Sequence, residues 1–332
     1  MAIDVNCTNP PESAATDAGV AGTGILLSFI ITAAVALALS TSVIFREFRG
    51  KPSPIRRKVL NGYSDSQIMQ GIGIQSVGLA KMDTLVPYHF FLIWLLSLLS
   101  MATHNATLLA LVQDYRRDWV IRWMRQFLMF VNLVLSCVSG IFVLQSVTKG
   151  IEHKPVPIAC VWHVGSGFSV STRTEWVSYI GTIAVIVGNC VIFGLATWYL
   201  HSRQQRWYRT IQVVGMFIMV ASAVGAAVRI GLLSQAFGNP TITLDDNGET
   251  EWSFGQLLSM LLLIYPLMSA VEIYRGEVEV AQPVKDEGQQ LFDGELQANP
   301  RHQNASNHAQ NQDRPPYQPN PFFGSETNLV RK

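Results

Sequence analysis

Long apolar stretches alternate along this chain with short charged ones. The stretch GTGILLSFIITAAVALALSTSVIF (22–45) contains no charged residue. It exceeds the roughly 20 residues that a helix needs to cross a bilayer core. The same pattern predicts helical spans over residues 87–112, 127–147, 177–200, 211–233 and 254–273. A further segment over 66–85, SQIMQGIGIQSVGLAKMDTL, is more polar, with Gln67, Gln70, Gln75, Lys81 and Asp83 inside it.

Loop charge decides whether that polar segment crosses. If it does, loops 46–62, 113–126 and 201–209 share one side and hold six, four and three Lys/Arg. The other side, 1–19, 148–176 and 237–252, holds none, three and none. Deleting the segment turns this thirteen-to-three split into nine against seven. Cytoplasmic loops carry the excess of Lys and Arg, so the pattern predicts seven spans with the N-terminus outside and the C-terminus inside. The expected architecture is all-α and polytopic: an outside leader (1–20), a bundle of seven transmembrane helices (21–274) and a disordered cytoplasmic C-terminal tail (275–332). The membrane is either the plasma membrane or an endomembrane.

Composition fits this picture: 49% of the residues are hydrophobic and 14% charged, against about 25% charged in soluble domains. The first nineteen residues hold Asp4, Glu12 and Asp17 but no cation, unlike a cleavable signal peptide. In the last fifty-eight positions, Gln, Asn and Pro account for twenty, and such a segment buries too little apolar surface to offset its ordering entropy.

Short signals follow from the topology. The sequon Asn6-Cys7-Thr8 lies on the outer side, where glycosylation is allowed. Cys7 and Cys160 share that side, so an oxidising lumen permits a bridge between them; the alternative is two unpaired thiols. In the tail, Asn320-Pro321-Phe322 resembles the ligand of EH-type endocytic adaptor domains, although a tripeptide arises easily in an Asn/Pro-rich tail. The partners expected are thus the lipid bilayer, an endocytic adaptor on the tail and a small-molecule ligand of unknown identity. No nucleic acid, cofactor or metal is implied.

Polar residues within spans default to functional candidates. Here they are Gln70, Gln75, Lys81, Asp83, His89, His104 and Asn105. Gln67, Gly71, Gln75 and Gly78 form one stripe, in which small residues let a neighbouring helix approach and glutamines bond across the contact. An interhelical polar clamp and a ligand pocket both fit that pattern. His89 and His104 lie fifteen residues apart, about 22 Å along one helix, so they cannot hold one metal ion together. No catalytic constellation is present, and QDYRRDW scrambles the Asp/Glu-Arg-Tyr order of rhodopsin-like receptors.

The stretches YSDSQIMQGIGIQ, YHFFLIWLLSLLSMATHNATLLAL, DYRRDWVIRW and EIYRGE resemble a group of multi-pass membrane proteins of filamentous ascomycete fungi, described only as integral membrane proteins of unknown function. The resemblance covers roughly 60–147 and the last span. It implies a fungal source and the same helical topology, and supplies no reaction. The leading functional expectation is a receptor-like sensor or small-molecule handling protein. An accessory protein recruiting partners through its tail and a membrane-embedded enzyme on a lipophilic substrate are the alternatives.

Overall fold

The computed structural model describes residues 7, 11–50, 53–112, 115, 119–163, 173–201 and 208–275. These are helical, without a β-strand; one isolated bridge joins Ala14 to Leu244. A single turn α1 (Ala18–Ala21) precedes α2 (Thr23–Phe48), α3 (Pro54–Ala80), α4 (Pro87–Ala110) and α5 (Trp119–Thr148). A 3-10 turn (Ile158–Trp162) follows, then α6 (Arg173–His201), α7 (Tyr208–Leu233), α8 (Phe254–Leu262) and α9 (Tyr265–Tyr274).

Six helical stretches among the described residues are long and apolar enough to cross a membrane: Ala18–Phe48, Pro87–Ala110, Arg122–Thr148, Tyr179–Trp198, Arg209–Leu233 and Phe254–Glu272. The chain is thus compatible with a multi-pass membrane protein. Helix α3 is not one of the six. It is nevertheless continuous over 27 residues, about 40 Å at 1.5 Å per residue.

The contacts of α3 show how it lies. Beyond its C-terminus Lys81 pairs with Asp17 at 2.7 Å, ahead of α2, while near its start Arg57 lies 3.7 Å from Glu47 at the end of α2. Helix α3 therefore runs antiparallel to α2 along its whole length. It begins at Pro54, well before the expected boundary at 66, because proline is pre-organised for the first helical turn. Lys81 and Asp83 fall in the turn that follows rather than inside a span. The last span, Phe254–Glu272, agrees with the expected 254–273 but its helix is interrupted: Leu263 and Ile264 form a turn before Pro266, whose ring cannot donate a backbone hydrogen bond.

Helix α4 is the hub. All its residues except Phe91 are buried, and it touches α2, α3, α5, α6 and α7. By contrast α6, α7 and α8 expose large apolar side chains such as Val187, Trp198, Phe217, Leu232 and Phe254. A span-length helix that is buried all round is a bundle core; one that is apolar and exposed suits lipid.

The two ends of the bundle differ. At one, Arg125 of α5 donates to Asn61 of α3 at 3.0 Å, Arg209 of α7 lies 5.5 Å from the Phe48 ring, and Trp123 meets the His201 ring edge-on at 5.7 Å. This is the arginine end. At the opposite, leader end, the N-terminal segment is stitched to three connections. The backbone N–H of Ala14 donates to Thr243 at 3.0 Å, and that of Asp245 donates to Ala14 at 2.9 Å. Ile158 donates to Leu85 at 2.8 Å, and a disulfide joins Cys7 to Cys160, 153 residues apart. Asn6 and the tail from 276 onward, including Asn320, Pro321 and Phe322, lie outside the described residues.

Candidate polar core and leader-end cluster

A polar group facing lipid without a partner costs several kcal/mol, so polar side chains on span-length helices turn inward and find one another. On α4 they do so around Ser100. Its hydroxyl donates to the Gln67 carbonyl of α3 at 3.1 Å and accepts from Asn132 Nδ2 of α5 at 3.2 Å. His104 Nε2 lies 2.9 Å away on the same oxygen. A serine hydroxyl has one hydrogen and two lone pairs. The hydrogen goes to Gln67, so Nε2 must donate. His104 Nδ1 is then an acceptor, and Ser64 of α3 lies 3.4 Å from it.

Gln75 continues the network. Its Nε2 donates to Asn132 Oδ1 at 2.7 Å and to the Gly71 carbonyl at 2.8 Å. One turn towards the leader end, Ser97 and Ser136 are 2.8 Å apart. Three helices are joined in this way, and the glycines make it possible: a methyl added at Gly71 would sit 2.5 Å from Ser100 Oγ, and one at Gly78 would sit 2.5 Å from Ile93.

A second cluster closes the leader end of α4. Glu249, from the connection between α7 and α8, is fully buried. Tyr88 donates to its Oε2 at 3.0 Å, and His89 Nε2 lies 2.6 Å from its Oε1. Tyr88 in turn accepts from the backbone N–H of Gln235 at 2.9 Å. The backbone carbonyl of Glu249 accepts from the Thr23 N–H at 3.1 Å and from the Thr23 hydroxyl at 3.2 Å. One residue thus caps α2 and clamps the first turn of α4. The connection is itself held in shape: Thr16 donates to Asp246 at 2.5 Å and the Gly248 N–H donates to it at 2.9 Å. These bonds hold the Asp246 carboxyl below its usual range, the Thr16 hydroxyl being the larger cause.

The residues expected to form one site separate into several places. Gln75 and His104 belong to the polar core, whereas His89 belongs to the Glu249 cluster. Lys81 is taken by Asp17, Gln70 bonds Ser66 of its own helix at 3.5 Å, and Asp83 is half-buried in the turn. Asn105 is fully buried, with neither side-chain atom bonded. Sequence reasoning missed Ser64, Ser100, Asn132 and Glu249. Asn132 carried a signal, as an amide amid the apolar 127–147 stretch. Glu249 carried none, since Glu251 two residues later is exposed.

Comparisons with protein-family models, with curated proteins and with solved structures return no match for this chain.

Proposed function

We propose that this protein is a receptor-like sensor crossing the membrane seven times, with the leader end outside and the arginine end in the cytosol. Two observations support the topology. Helix α3 runs the full length of α2, as the paired ends Lys81–Asp17 and Arg57–Glu47 require. The described cations of the three basic connections gather at one end, where Arg57, Arg125 and Arg209 lie beside α2 and α3. Both agree with the thirteen-to-three division of cations. The glycan expected at Asn6 tests it: Asn6→Gln should remove a mass shift that a glycosidase also removes, and a protease should clip the tail only in opened vesicles.

The sensor reading is carried by the burial of Glu249 against His89 and Tyr88. An outer connection is locked onto the first turn of the central helix, and that helix holds α3 and α5 through Ser100 and His104. A ligand engaging the cap and competing for Glu249 would favour a second position of α4, shifting the population between two packings. The far end of α4 adjoins α3, where Tyr115 donates to Asn61 at 2.9 Å. The movement would therefore reach the cytosolic face, about 36 Å away along 24 residues.

Hydrogen exchange on the purified full chain in nanodiscs tests this. Glu249→Gln should raise exchange at 81–90 and 234–256 and also at 54–65, beyond the polar core. If the change stays at the leader end, the cluster merely fastens the cap and the sensor reading fails.

A further inference from the structure

Some of the buried polar atoms without a partner fall close together on α4, α5 and α6. Among the described residues, Asn105 and Gln126 are the two carboxamides with neither the oxygen nor the nitrogen bonded. Asn105 is 0% exposed and Gln126 7%. Arg122 Nε and Thr197 Oγ1 are likewise buried and unbonded.

Their helices bring these four together. The pairs Ser97–Ser136 and Asn132–Met101 set α4 antiparallel to α5. One more turn places Asn105 at the height of residues 128–129, within a turn of Gln126. Cys137–Cys190, Phe130–Phe193 and Trp123–His201 set α5 against α6, which puts Thr197 at the height of Gln126. Arg122 and Gln126 are four apart and share a face of α5. That face turns toward α4 and α6, because Arg125 and Asn132 point to α3 while Phe127 and Trp123 are exposed.

All four lie near the arginine-end limits of the apolar spans. Arg122 opens the apolar part of α5. Gln126 lies four residues further in, and Thr197 and Asn105 lie four and five residues from the ends of α6 and α4, each about 6–8 Å at 1.5 Å per residue.

We propose that Asn105, Arg122, Gln126 and Thr197 form a headgroup site for an anionic phospholipid of the leaflet at the arginine end. Two amide NH2 groups and Arg122 Nε are donors suited to a phosphodiester. The two amide oxygens and the threonine hydroxyl accept from hydroxyls, so the headgroup is a hydroxylated one of the inositol class. Basic pockets between spans at the cytosolic side take such headgroups, and the exposed Phe127 and Trp123 on the same helix offer apolar surface against which the acyl chains would pack. The site shares no residue with the polar core or the Glu249 cluster, so it stands whether or not the sensor reading does.

The test is native mass spectrometry of the full chain released from nanodiscs of phosphatidylcholine with or without phosphatidylinositol. The wild type should retain one phosphatidylinositol. Arg122→Gln and Gln126→Leu should each lower its occupancy about tenfold, a change of about 1.4 kcal/mol. Lys58→Gln, an exposed cation at the same end, should leave it unchanged. Asn105→Leu provides a variant that keeps the charge and the core volume, and a wild-type melting profile and elution volume certify its fold. Three results overturn the proposal: retention unchanged in Arg122→Gln and Gln126→Leu, which means water occupies the amides; equal loss in Lys58→Gln, which means diffuse attraction; or stabilisation by inorganic phosphate in pure phosphatidylcholine with no lipid retained, which means a free-anion site.

Discussion

Gly71 and Gly73 stand two residues apart on α3 and should respond in opposite directions to the same substitution. A methyl at Gly71 would lie 2.5 Å from Ser100 Oγ, 3.0 Å from Ser100 Cβ and 3.0 Å from Asn132 Oδ1. Ser100 has no free rotamer to retreat to, because its hydroxyl is bonded to Gln67, His104 and Asn132 at once. Gly71→Ala must therefore push α3 from α4 or break those bonds. Overpacking costs about 1–3 kcal/mol, and interhelical hydrogen bonds in membranes contribute about 0.6 kcal/mol each, up to roughly 1.7. The gain from replacing glycine inside a helix is about 0.8–1 kcal/mol. The net effect at Gly71 is a loss of about 1–4 kcal/mol. At Gly73 nothing lies within 4 Å of the added methyl and the residue is exposed, so only the helix gain of about 0.5–1 kcal/mol remains. On the scale of larger soluble domains, 2–4 °C per kcal/mol, a separation of about 1.5–5 kcal/mol means that the two variants should melt about 3–20 °C apart. The assay is thermal unfolding of the purified chain in one detergent, followed by tryptophan fluorescence. If Gly71→Ala melts at or above Gly73→Ala, then α3 does not face Ser100, and the register of the polar core is wrong.

Gln75→Leu and Asn132→Leu, measured singly and together, should show a coupling of about 0.6–1.7 kcal/mol, because each loses the same 2.7 Å bond; strict additivity would separate the two side chains. Asp246 has its carboxyl lowered in the folded state, so its bonds to Thr16 and Gly248 stabilise the fold above the unfolded carboxyl value, and the contribution is lost as pH falls through the folded one. The melting difference between wild type and Asp246→Asn should thus be constant near neutrality and close below about pH 4; a difference that persists in stronger acid would contradict the Thr16 contact. Cys137 and Cys190 face each other across α5 and α6 with sulfurs 3.5 Å apart, so mild oxidation of membranes should form an intramolecular cross-link detectable by peptide mass. A cross-link between two chains instead would reject that helix pairing.

Much of this arrangement is written in local composition. Whether a segment suits lipid depends on its own side chains, so six apolar stretches long enough to cross a membrane can be read directly from the sequence. The stripe Gln67, Gly71, Gln75 and Gly78 also reads locally, since residues three and four apart share a helix face, and all four are buried. What helices touch is a different quantity. Helices α4, α6 and α7 are all long and apolar enough to cross a membrane, yet of the three only α4 is enclosed; hydropathy compares a residue with lipid and is blind to whether lipid or another helix covers it. The partners of the stripe, Ser100 and Asn132, depend on interhelical register, which a single segment does not encode. Glu249 shows the limit most plainly. It sits in a loop of acids and amides that any sequence reading leaves in water, and it is buried because Tyr88 and His89, some 160 residues earlier, offer two donors where a helix and a connection converge.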